Sequence, residues 1–192
     1  MIGKTSTKEF KFLKNELENR NYFSKFSPLK IINYLPLDFE IYTFNSGFKK
    51  KTEDLLLIVF KKKTSFKAVY SKTSTPSAPI IWNKKLNSKR CKALIVNAGN
   101  ANAHTGNEGI KIINQYVKVL ARKINCKKEE IIVCSTGVIG EIFNSTKISK
   151  NFKLIDNNKK GDLIKAALSI MTTDALPKSS LQSVNINNEK FN

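Results

Sequence analysis

The chain has 192 residues, 41% of them hydrophobic, which is enough for one substantial core or for one half of a larger α/β assembly and excludes intrinsic disorder. Its formal charge of +19 comes almost wholly from lysine. Only Arg20, Arg90 and Arg122 carry the planar fork that reads guanine edges or grips phosphate, so the excess reads as a Lys-, Asn- and Ile-rich composition, not as a specific nucleic-acid interface.

Met1 to Arg20 interleave charged residues with single hydrophobes and lack the apolar core of a secretory signal. Phe10, Leu13 and Leu17 share a helical face, and Ser27-Pro28 and Pro36 interrupt it, so residues 1–36 read as an N-terminal helix and linker ahead of one α/β domain over 37–192. The longest apolar run, Leu55 to Phe60, is far short of the roughly 20 residues that cross a bilayer, which predicts a soluble protein with no membrane partner. Being apolar on both faces, this run predicts a strand covered on two sides. A turn at Lys61–Ser65 and a second strand at Phe66–Tyr70 should follow. Ser74-Thr75-Pro76-Ser77-Ala78-Pro79 must be a loop or an edge, because two prolines remove ladder donors.

Ala93 to Asn97 predicts a buried strand, running into a stretch from Ala98 to Asn107 too rich in Gly and Asn to be regular. Function tends to sit on such loops. Ile110, Ile113, Val117, Leu120 and Ile124 recur at helical spacing behind Asn107 and Glu108, a cap and a first-turn acid. Glu130 to Cys134 predicts a strand that empties into a turn at Ser135-Thr136-Gly137, with a polar connection to Lys160. Gly161 to Met171 predicts a helix with Leu163, Ala167, Ile170 and Met171 inward, and Val184-Asn185-Ile186 is at most one more strand. The alternation of strands and helices makes the fold class α/β. Cys91, Cys126 and Cys134 are odd in number and lack C-x-x-C spacing, as expected of reduced, mostly buried thiols in a cytoplasmic protein.

Ser135-Thr136-Gly137 carries the clearest chemical argument. A hydroxyl beside a glycine at a strand end offers a side-chain donor and an approachable backbone N–H to one oxygen, as an oxyanion hole requires; the same residues also suit a turn that satisfies its own backbone. His104 is the single histidine, so a histidine-rich metal site cannot be assembled.

Three strings are more specific than any of these patterns. Asn97-Ala98-Gly99-Asn100-Ala101-Asn102-Ala103 with Thr105-Gly106, then Cys134-Ser135-Thr136-Gly137-Val138-Ile139-Gly140, then Ile170-Met171-Thr172-Thr173-Asp174 resemble, in order and spacing, three blocks of the ornithine acetyltransferase / N-acetylglutamate synthase family. Weaker echoes are Gly47-Phe48-Lys49 before Asp54-Leu55 and Ser77-Ala78-Pro79-Ile80 before Trp82, so the resemblance covers roughly Phe39 to Lys178.

The resemblance implies a layered α-β-β-α sandwich of the self-processing ornithine acetyltransferase and aminopeptidase type, of which this chain is the N-terminal half. It implies transfer of acetyl from N-acetylornithine, in some members also from acetyl-CoA, to glutamate in arginine biosynthesis. Such precursors cleave themselves before a threonine that becomes the nucleophile and carries the acetyl group. On this resemblance Thr136 and Gly137 form the oxyanion hole and Thr172 binds substrate, with Thr173 and Asp174 as structural neighbours. No metal or prosthetic group is implied, and acetyl-CoA enters only as a substrate. The autoprocessing segment should come some tens of residues after Met171, and the sequence ends at Asn192 without it. The nucleophile is therefore expected on a β chain, in a hetero-oligomer of α and β chains, and this chain alone is expected to be inactive. The alternatives are a catalytically inactive fragment, a lysine-rich binder of nucleic acid or anionic surfaces, and a related aminopeptidase.

Overall fold

The structure, a computed structural model, describes residues 38–155, 161, 163–174 and 177–178, together with the backbone of 184–186 and 189–191. The leading helix and linker expected over residues 1–36 lie outside the described residues. Four strands form one sheet in chain order: β1 (Phe39–Phe44), β2 (Leu55–Ser65), β3 (Arg90–Asn100) and β4 (Ile131–Val138). The first two pairings are antiparallel and the β3–β4 pairing is parallel. A parallel pair needs a crossover, here supplied by the 18-residue helix α2 (Gly106–Lys123).

Side-chain alternation divides the sheet into two faces. Tyr42, Phe44, Leu55, Leu57, Ala93, Ile95, Ile131 and Val133 point into the main core, where they meet Ile112, Ile113, Tyr116, Val117 and Leu120 of α2. Ile41 and Leu56 point the other way, toward Ala166 of α4 (Leu163–Ile170), with Ile58, Val96 and Leu163 packed around them. Helices on both faces explain why β2 and β3 are apolar on consecutive residues.

Several expectations change once the chain is folded. Phe66 to Tyr70 is not a strand: β2 continues straight through Lys61–Ser65, with a register shift between Val59 and Thr64 that lets Thr64 and Ser65 pair with Cys91 and Arg90. Beyond Ser65 the Phe66 N–H still donates to Lys89 O at 3.3 Å, but no strand continues, and Val69 is 99% exposed. The Ser-Pro segment is irregular over Ser74–Ser77 as expected, but its last two residues begin α1 (Ala78–Lys84), with Pro79 in the first turn, where a missing N–H costs nothing. Ala98 to Asn100 are the last residues of β3, and Ser135 to Gly137 are strand residues of β4 instead of a turn.

The polar connection before Lys160 is also structured. It holds α3 (Thr146–Ser149) and a 3-10 turn (Lys150–Leu154) that drive Ile148 and Phe152 into the main core. Full burial of such a side chain is worth roughly 1.5–3 kcal/mol, which outweighs the solubility of the lysines around it. On α4 the buried residues are Ile164, Ala166 and Ser169, while Ile170 is exposed, so the inward face is rotated from the one expected. The α2 cap is Thr105 in place of Asn107. Val184–Ile186 does form a strand, β5, paired antiparallel with β6 (Glu189–Phe191).

Candidate active site

β1 and β4 both run parallel to β3, so the β1–β2 turn, the end of β3 and the end of β4 meet at one edge of the sheet. Asp54, fully buried just before β2, holds the first of these. Its carboxylate accepts the backbone N–H groups of Ser46 at 2.6 Å, Phe48 at 2.6 Å and Lys49 at 2.9 Å, and its own carbonyl accepts Ala98 N–H at 2.8 Å. The turn so fixed presses Phe48 onto Gly99: a Cβ there would lie 2.8 Å from Phe48 Cβ, and φ is +103°. Phe48 in turn meets Phe143 edge to face at 5.0 Å and carries the Lys147 ammonium over its ring at 4.6 Å.

The amide-rich stretch from Asn97 to Asn102 is bonded to itself and its neighbours. Ser135 Oγ donates to Asn97 Oδ1 at 2.6 Å, and Asn97 Nδ2 donates to Asn100 O at 2.7 Å. Asn100 Oδ1 accepts Asn102 N–H at 2.8 Å while its Nδ2 donates to Glu141 O at 2.9 Å. Asn102 donates to Gly109 O at 3.1 Å and accepts the Thr105 hydroxyl at 2.8 Å. All three asparagines are buried, and no described buried side-chain nitrogen or oxygen lacks a partner. Their amides are committed to shaping the β3 end, which makes this loop a rigid frame; the repeated asparagines were visible in the sequence, their partners were not.

Thr136 and Gly137 stand at the end of β4 beside this frame. Gly137 is the cross-strand partner of Gly99, and the two backbones approach so closely that a Cβ on Gly137 would lie 2.3 Å from Gly99 C; its φ is +128°. Only glycine suits that contact. Val138 O accepts Ala101 N–H at 2.8 Å, so Val138 faces β3, and alternation along the strand turns the N–H and C=O of Gly137 to the outer edge, where Gly137 is exposed. A half-buried threonine and an outward glycine N–H thus sit on adjacent residues at the end of β4.

Thr172 is exposed in a bend just past α4. The Lys49 ammonium donates to Ser169 O at 3.0 Å in the last turn of that helix, tying it to the Asp54-held turn and hence to the same end of the sheet as Gly137. Burial lowers the Lys49 pKa, and the Asp54 charge opposes that shift. Among the described residues no hydrogen bond joins Thr172 to Thr136 or Gly137. Thr173 is exposed, and Asp174 is paired with Lys178 at 2.6 Å, which holds its carboxyl below the usual carboxylate value. Sequence reasoning missed the anchoring role of Asp54 and the tie made by Lys49, although an acid directly before an apolar strand was a signal to follow. The three cysteines are free thiols, and burial raises all three pKa values, that of Cys126 to about 11. His104 is exposed with φ +55° and takes no part in the site.

Comparison with known proteins decides what this arrangement belongs to. The model of the ArgJ family matches residues 40–192. The chain belongs to the ArgJ family. It is 38% identical over 151 residues to the arginine biosynthesis bifunctional protein ArgJ of Bradyrhizobium diazoefficiens, covering 77% of this chain and 37% of that protein. It is 32% identical over 177 residues to the mitochondrial ArgJ of Dictyostelium discoideum, covering 90% of this chain and 40% of that protein. The chain therefore spans little more than a third of the curated relatives it matches.

Among solved structures, the bifunctional ArgJ of Bacillus halodurans superposes with a TM-score of 0.70 at 25% identity, over 80% of this chain and 82% of that one. Ornithine acetyltransferase of Mycobacterium tuberculosis, solved in complex with ornithine, gives 0.66 at 28% identity over 73% and 79%. The fold class is accordingly the α/β sandwich of the ArgJ type; the described residues supply its helix–sheet–helix portion. No helix of the described residues is long and apolar enough to cross a membrane.

Proposed function

We propose that this chain is the α portion of a glutamate N-acetyltransferase that moves acetyl from N-acetylornithine, and in some circumstances from acetyl-CoA, to glutamate. The observation that carries the reading is the outward N–H of Gly137 next to the Thr136 hydroxyl, at the end of the sheet where Lys49 also holds the segment leading to Thr172. Further support comes from lengths. The crystal chains that match are covered to about four fifths, so they are of similar size to this one, whereas the curated relatives are far longer. Two-piece proteins of this family are the economical explanation, with a β portion bringing the nucleophilic threonine into a hetero-oligomer with this chain.

In the proposed reaction the threonine oxygen of the β portion attacks the acetyl carbonyl of N-acetylornithine, and the carbonyl π electrons move onto its oxygen. Thr136 Oγ–H and Gly137 N–H donate to that oxyanion. Collapse breaks the C–N bond, the ornithine amine leaves with the proton released by the nucleophile, and an acetyl-threonine ester remains. The glutamate amine then attacks the ester, loses a proton, and the threonine oxygen is released with a proton. Thr172 binds the amino-acid portion of either substrate in this scheme. No metal or prosthetic group enters this scheme, and the setting is cytoplasmic.

The test is intact-mass analysis of the protein purified from its source, followed by an acetyl-exchange assay. A second co-purifying chain beginning with threonine, and loss of roughly 100- to 1,000-fold in kcat for Thr136→Ala, are the expected results. A lone 21.7 kDa chain without transfer from N-acetylornithine would refute the proposal.

A further inference from the structure

β4 is an edge strand of the four-stranded sheet, and an edge exposes alternate N–H and C=O groups to any strand that comes to pair with it. On this edge α1 takes the partner's place. Asn83 Nδ2 donates to Val133 O at 2.7 Å, and Val133 N–H donates to Asn83 Oδ1 at 3.0 Å, so one carboxamide makes both bonds that a neighbouring strand would make to that residue. Beside it the Trp82 indole N–H donates to Ile131 O at 3.2 Å. The outward residues of β4 are thus Ile131, Val133, Ser135 and Gly137. The first two are covered by α1, and the exposed Gly137 closes the series about 13 Å beyond Val133 at the usual strand rise.

We propose that Asn83 is a positioning residue for the Thr136–Gly137 pair. It acts through Val133, pinning β4 on the side away from β3 so that the strand cannot shear or twist outward. It also stops an incoming strand from zipping along the edge and covering the Gly137 N–H. Ser135, two residues further on, is held from the opposite side by Asn97, so the strand is clamped between two amides just ahead of the site. The inference rests on the acetyl-transfer reading for its catalytic consequence, and on the α1–β4 geometry alone for the clamp itself.

Two measurements separate these layers. In the 192-residue chain, amide hydrogen exchange followed by NMR should be faster at Val133, and at Thr136 and Val138 on the β3-facing side of the strand, in Asn83→Leu, which keeps the side-chain volume and loses both bonds. Asn83→Asp, which keeps the acceptor for Val133 N–H, should restore much of the protection at Val133. Acceleration confined to Val133, or none at all, would overturn the proposal. In the protein purified with its companion chain, Asn83→Leu should lower kcat by about tenfold to a hundredfold, with KM for N-acetylornithine changed less than about threefold, as displaced donors predict. An unchanged kcat alongside faster exchange at Thr136 and Val138 would overturn the catalytic consequence. If the unsubstituted protein transfers no acetyl group, the function proposed above fails, and the exchange data alone decide whether Asn83 positions this edge.

Discussion

β3 and β4 run side by side and stop at the same level, yet the segments beyond them are built in opposite ways. From the last residue of β3 onward, Asn100, Asn102 and Thr105 are buried, and each amide or hydroxyl is spent on the frame. At the end of β4 and beyond it, Val138 is 50% exposed and Ile139 and Ile142 are each 62% exposed, with the Gly137 N–H facing outward. Polar residues lie inside and apolar ones outside, the reverse of the usual rule for a surface loop. The difference teaches that the β3 end is structural support, whereas the β4 end leaves apolar side chains and a backbone N–H facing solvent.

The sharpest way to break the frame is Asp54→Ala, which strands three backbone N–H groups around a fully buried position. We expect a loss of about 4 kcal/mol or more, read as a fall in the urea midpoint. Asn97→Ala should cost less, about 2 kcal/mol, because it leaves the Ser135 hydroxyl and Asn100 carbonyl without their partner; the same titration measures it.

A smaller effect belongs to the opposite end of the sheet, where Lys63 meets Glu130 at 2.6 Å with side-chain exposures of 48% and 9%. That hydrogen bond holds the Glu130 carboxyl below the usual carboxylate value. Its folded-state pKa is depressed, so its contribution is complete above the unfolded value of about 4.3 and is lost as pH falls through the folded one. Lys63→Met should therefore lower Tm at pH 6 by an amount corresponding to no more than about 1 kcal/mol, and the gap to the unsubstituted chain should close toward pH 3 in calorimetry. The smallest change expected is Ile139→Ser on the β4 side, within about 0.5 kcal/mol by urea unfolding. A large loss there would mean that the exposed end is a second frame, and the comparison would collapse.

Much of the fold was legible because it rests on local periodicity. The apolar runs of β2 and β3 and the three-and-four spacing of α2 announce their elements without reference to anything distant. What escaped did so because its cause lies across the chain. Lys61 to Ser65 read as a turn from their charges, but the strand continues because Arg90 and Cys91 are there to pair with it. Ile148 and Phe152 are isolated apolar residues in a polar stretch, and only the space left beside α2 makes them core. Ser135 to Gly137 read as a turn because glycine usually marks one; the facing Gly99 allows strand geometry to persist.

By itself the sequence determined the alternation of elements, the family and the residues Thr136, Gly137 and Thr172 as candidates, since identity and order of short strings survive without knowledge of packing. The tertiary structure decided that the three asparagines are frame, that Gly137 turns its N–H to the open edge of β4, and that Asn83 closes the rest of that edge. Hydrogen-bond partnership between residues 37 to 50 positions apart depends on which strands become neighbours, and no local pattern encodes that.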